Sequence, residues 1–135
     1  MGQQQLLLLI LATIIAGAGV LLGVNMFQES AAQANMDDVT QDCYTFATKA
    51  QSWFRRPAMM NGGGQSFSGF DFGDINLPAG ASYSNENGSY AISGVTNTSC
   101  TITGTGKESL DTDPAPLTVT ITVNSSAAAV IGMTK

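Results

Sequence analysis

Histidine is absent from this 135-residue chain. With it go the commonest general base, the usual triad partner of a nucleophile and a favoured zinc ligand. Cysteine is scarce. Cys43 and Cys100 are the only two, far apart, with no CxxC or CxxCH spacing, so zinc, iron–sulfur clusters and haem lack a ligand set. Positive charge is scarce too: five Lys and Arg stand against ten Asp and Glu, for a net charge of −5. That balance argues against nucleic acid, which needs basic patches, and against anionic lipid headgroups. The stretch "GGGQS" lacks the Lys-Ser ending of a phosphate loop. No nucleophile constellation appears, so the sequence gives no support to an enzyme, a cofactor or a metal site.

What the chain has first is an apolar run. From Leu6 to Val24 only Thr13 is polar and nothing is charged. About 19 residues make a helix of roughly 28 Å at ~1.5 Å per residue, close to the ~30 Å of a bilayer core. The run is too long for a signal-peptide core and lacks a basic n-region and a small-x-small cleavage site. Basic residues normally mark the cytoplasmic side of such a helix, yet the first one is Lys49. The simplest expectation is a basic leader cut away ahead of Met1; the alternative is an ordinary single-pass anchor that starts there. Gly19 and Gly23 have GxxxG spacing, with Gly17 beside them and a second small pair at Ala12 and Ala16; this predicts close helix contact and is by itself weak evidence.

No glycine or proline interrupts the sequence from Asn25 until Pro57. The apolar set Val39, Cys43, Phe46, Ala50 and Trp53 is spaced by four, three, four and three, one stripe on one helical face. Acidic Glu29, Asp37, Asp38 and Asp42 precede basic Lys49, Arg55 and Arg56, so cations sit near the last carbonyls. Joined to the apolar run, this predicts one helix of about 54 residues and roughly 80 Å. The charge blocks either pair between staggered neighbours or form a solvated face. At helical spacing, Phe27, Tyr44, Phe46, Trp53 and Phe54 read as packing residues.

"NGGGQSFSGFDFGDINLPAG" is a loop by its turn residues, with Phe67, Phe70 and Phe72 tacking it onto the head or a neighbour. Beyond it the period changes from 3.6 to two. "SYAISGV", "SCTITGTG" and "LTVTITVN" alternate apolar with small polar residues, which predicts an antiparallel sheet with one wet face. Asn87-Gly88 and "VTNT" are turn signals, and the tail "AAAVIGMTK" offers a further strand. Such a sheet needs a cover, and the helix stripe is the obvious one.

A processed start, a membrane-length apolar helix and a small β head together resemble the type IV pilin family, including the pseudopilins of type II secretion. The resemblance implies an α+β fold: a long N-terminal helix over 1–56, apolar at 1–25 and amphipathic at 26–56, packed on a loop and antiparallel β-sheet head at 57–135. It implies cleavage by a prepilin peptidase and a methylated Met1. Where the family has a glutamate that pairs with a neighbour's N-terminal amine, this chain has Gln5. An amide oxygen still accepts a hydrogen bond from an ammonium, more weakly than a carboxylate. Gln3, Gln4 and Gln5 then form a polar collar. The glycines at Gly17–Gly23 take the place of the family's helix-loosening proline, with local unwinding on assembly.

In that exported setting a Cys43–Cys100 disulfide joins helix to sheet, closing a loop of about 58 residues worth roughly 4 kcal/mol in the chain-entropy model; the alternative is two buried free thiols. "ESLDTDPAP" places Glu108, Asp111 and Asp113 in a loop that reads as a solvated turn, or as the calcium loop of some major pseudopilins. Asn87, Asn97 and Asn124 each open an N-x-[ST] triplet, a pattern that Ser/Thr-rich chains produce by chance. The expectation is a structural subunit of an extracellular pilus-like homopolymer, anchored in the inner membrane before assembly, with the assembly machinery as partner. The alternative is a single-pass anchored extracellular binding domain, or a minor pseudopilin outside the main filament.

Overall fold

Residues Gly2–Arg55 form one unbroken 54-residue α-helix, α1, in a computed structural model that describes residues 2–110, 113–126 and 128–134. No proline or helix-breaking pair interrupts it, and it ends where Pro57 disfavours helical backbone for the residue before it. The chain then turns back to satisfy carbonyls of the last turn. Gly63 N–H donates to Trp53 C=O at 2.9 Å, Gln65 N–H to Phe54 C=O at 2.9 Å and Gly64 N–H to Arg56 C=O at 3.0 Å. That tight return needs left-handed backbone at Asn61 and Gln65, with φ of 59° and 68°.

The following segment is more ordered than a plain loop. A 3-10 turn at Phe72–Ile75 starts with a reciprocal cap. Asp71 Oδ1 accepts from the Asp74 N–H at 3.3 Å, and Asp74 Oδ2 from the Asp71 N–H at 3.1 Å. The aromatic residues of this segment all turn inward onto α1: Phe67 stacks on Phe54, Phe70 lies against Trp53, and Phe72 meets Phe46 edge-on.

Five antiparallel strands follow as a meander in sequential order: β1 (Ser82–Ser84), β2 (Gly88–Ser93), β3 (Ser99–Leu110), β4 (Asp113–Asn124) and β5 (Ala128–Thr134). The fold is therefore α+β, a long helix packed on a small antiparallel sheet, as expected. The expected alternation holds in β4, where Leu117, Val119, Ile121 and Val123 are buried and Thr118, Thr120 and Thr122 lie on the other face. Three-residue β1 carries no periodic signal of its own. The tail adds its strand as β5. The hairpin of β3 and β4 reaches further than the sequence implied, so Glu108 lies in β3 and Asp113 opens β4 rather than both lying in a loop; Asp111 is outside the described residues.

Only the second half of α1 has a core to join. The stripe Val39, Cys43, Phe46, Ala50 and Trp53 is buried, extended by Ala32, Met36, Ala47 and Phe54. The helix runs nearly antiparallel to β3. Asn35 meets the backbone of Lys107, Cys43 and Val39 stand over Gly104, and Gln51 reaches Asn124, which pairs with Ser99.

This alignment corrects the expected disulfide. Cys43 and Cys100 are both buried and both free. Cys43 lies against Gly104, four residues along β3 from Cys100, which at ~3.3 Å per residue is about 13 Å. A disulfide requires Cα atoms within about 7 Å. The two thiols share one interior face but sit at different levels of it.

Candidate assembly surface

The first half of α1 has no intramolecular cover. Leu6 to Leu11, Ile14, Ile15, Val20 to Leu22, Val24, Met26 and Phe27 are all exposed, Phe27 at 76%. Covering one such side chain is worth about 1.5–3 kcal/mol, so a row of them cannot stay in water. The helix here is long and apolar enough to cross a membrane. Its one side-chain hydroxyl, on Thr13, donates back to Ile10 C=O at 2.8 Å, which removes it from the outer surface's hydrogen-bonding demand.

The expected assembly residues fall on this half. Gln3, Gln4 and Gln5 occupy its first turns, exposed and helical. Met1 lies outside the described residues. Gly17, Gly19 and Gly23 sit in regular helix, with nothing within 4 Å of a Cβ built on any of them. In this single chain they therefore leave a smooth open notch.

A polar clasp fixes how the exposed half projects from the head. Asp42 sits one turn beyond Asp38, at the edge of the buried stripe, and one of its oxygens collects three donors from the β1–β2 hairpin. Oδ2 accepts from Tyr90 Oη–H at 2.6 Å, Asn85 Nδ2 at 2.9 Å and Asn87 Nδ2 at 3.0 Å. Two turns nearer the apolar half, Asn35 Nδ2 donates to Asn87 C=O at 2.8 Å while its Oδ1 accepts from the Lys107 N–H at 3.0 Å. Asn85 Oδ1 in turn accepts the N–H groups of Asn87 and Gly88, holding the hairpin loop.

The electrostatics follow from this arrangement. Burial alone works against ionising Asp42, but the bonds from Tyr90, Asn85 and Asn87 outweigh it and hold the carboxyl below its ordinary range. Burial and then the Asp42 carboxylate push the Tyr90 phenol well above its ordinary value. Burial, with the neighbouring Asp42 charge, pushes the Cys43 thiol up to about 12, and burial alone pushes Cys100 up to about 11. Such thiols are unreactive at neutral pH.

In the sequence Asp42 stands only as one of an acidic block, and Asn87 as a turn residue that opens a modification triplet. The signal for the clasp was the asparagine pair at 85 and 87 beside Tyr90, readable only once the helix stripe had been laid over the hairpin. Of the aromatic residues expected to pack, Phe46, Trp53 and Phe54 are buried, whereas Phe27 and Tyr44 face outward.

The remaining surface offers shallow grooves. The outer sheet face carries Ser82, Ser84, Ser89, Thr103 and Thr105 around one of about 440 Å³. Among the described residues, no three His, Cys, Asp or Glu side chains gather as a metal group. No family model matches the chain, and neither a curated protein nor a solved structure matches it.

Proposed function

We propose that this chain is the structural subunit of an extracellular, type IV pilus-like helical filament. The observation that carries the reading is the division of α1: one continuous helix whose second half is packed into the head while its first half leaves the apolar side chains of Leu6 to Val24 uncovered. Lipid of the inner membrane covers that half before assembly, and the same half of sister subunits covers it afterwards. The glycines Gly17, Gly19 and Gly23 allow close approach in the bundle, and local unwinding there on assembly relieves packing. The Gln3–Gln5 collar accepts hydrogen bonds from neighbouring N-termini. The head contributes a Ser/Thr outer face compatible with water.

The length of the apolar run equally suits a single-pass anchor holding an extracellular binding domain, or a minor pseudopilin. Electron microscopy of material sheared from expressing cells, with mass spectrometry of the purified particles, separates the readings. Filaments built mainly of this chain are expected. Recovery of the chain solely as a bilayer-embedded monomer overturns the filament reading.

A further inference from the structure

The outer face of α1 carries a repeat outside the core and the clasp, from which, among the described residues, only Gln51 reaches the head, through Asn124 C=O at 3.4 Å. Met26, Glu29, Ser30, Gln33, Ala34 and Asp37 line one shallow groove of about 480 Å³. Thr48, Gln51, Ser52 and Arg55 line a second, of about 280 Å³. Each residue of the second groove lies 18 positions after one in the first: Ser30 and Thr48, Gln33 and Gln51, Ala34 and Ser52, Asp37 and Arg55. At ~3.6 residues per turn, 18 residues make about five whole turns, so both grooves lie on one line of the helix, about 27 Å apart at ~1.5 Å per residue.

The pairs are complementary. Asp37-Asp38 maps onto Arg55-Arg56, opposite charge on opposite charge. Met26 maps onto the exposed ring of Tyr44, and a thioether against an aromatic ring is a favourable contact. Among the described residues, none of Asp37, Asp38, Arg55 and Arg56 has an ion-pair partner; Asp37 receives a long bond from Gln33 at 3.4 Å.

We infer that a second copy of this chain docks on this face as a parallel helix displaced along the axis by about 27 Å, with its Asp37-Asp38 beside Arg55-Arg56 of the first. This inference rests on the filament reading and deepens it by naming one contact. The contact is heterologous, one patch against a different patch, and such contacts generate open helical polymers; since both patches lie on one line of an ~80 Å helix, the copies above and below clear each other by a crossing angle between neighbouring helices, about 20° in the common packing class. Charge complementarity of this kind fixes register more than affinity.

Cysteines introduced together as Asp37→Cys and Arg55→Cys test the register. Within one chain they lie about 27 Å apart, beyond disulfide reach, so any bond between them joins two molecules. Mild oxidation of assembled filaments is expected to give a ladder of covalent oligomers from the double variant and none from either single variant. Filaments without a ladder overturn the register and leave the filament reading standing. Wild-type cells without filaments, and no ladder, overturn both. A second arm uses charge alone. Arg55→Asp with Arg56→Asp is expected to lower filament yield at least tenfold, and adding Asp37→Arg with Asp38→Arg to restore it. Unchanged yield in the first variant also overturns the register.

Discussion

The Asp42 carboxylate and the two thiols show how much depends on depth and partner at the residue scale. Replacing Asp42 with Ala removes the acceptor of three donors at once, and groups left unpaired in a part-buried site cost about 1–3 kcal/mol. A carboxyl whose folded pKa is depressed stabilises the fold above its unfolded value, near pH ~4, and loses that contribution as pH falls through the folded value. Thermal melts of the wild type are therefore expected to drop between pH 5 and pH 2 more steeply than those of Asp42→Asn. Equal slopes for the two proteins would show that the clasp carries no pH dependence. The thiols lead to a different expectation. Because both are free and buried, a thiol reagent at neutral pH should label neither Cys43 nor Cys100 in the native protein and both after unfolding, with melting unchanged by reductant. Asn87 belongs to the same scale: its Nδ2 is committed to Asp42, so a glycan on that nitrogen would cost the clasp a bond.

For the elements, legibility tracked periodicity. The stripe from Val39 to Trp53 and the alternation of Leu117 to Val123 were plain in the sequence because a half-buried helix and a half-buried strand each impose their own period. What periodicity does not encode was missed: the short strand Ser82–Ser84, the reciprocal Asp71–Asp74 cap, and the extension of β3 and β4 past a register shift after Thr105. The expected disulfide gives way to the alternative, two buried free thiols, for the same reason. Periodicity placed both cysteines on the correct face but said nothing about their level along it. That level is set by Gly104, where an added Cβ would lie 2.7 Å from Val39 Cγ1 and 2.6 Å from Cys43 Sγ. Absence of a side chain there lets α1 settle close to β3. Gly104→Val should force the helix off the sheet, and overpacking of this kind typically costs about 1–3 kcal/mol. Chemical denaturation of the head measures it. A midpoint equal to wild type would mean that helix and sheet are not in close contact at this position.

Considered whole, the molecule divides its work by sequence position. Every buried core residue lies at Ala32 or later, so deletion of residues 2–25 should leave a folded, monomeric, water-soluble head. Circular dichroism with sedimentation would record a cooperative melt at one-chain mass, and aggregation or loss of the melt would show that the apolar half contributes to folding. The seam between α1 and β3 has a mechanical consequence. Because the two run antiparallel and α1 is tied to the head along its length, by Asn35 to β3, Asp42 to the β1–β2 hairpin and Gln51 to the end of β4, tension on the apolar half pulls parallel to the seam. Ties loaded in that direction share the force instead of opening one after another, so the head is expected to resist axial pulling better than peeling from either end.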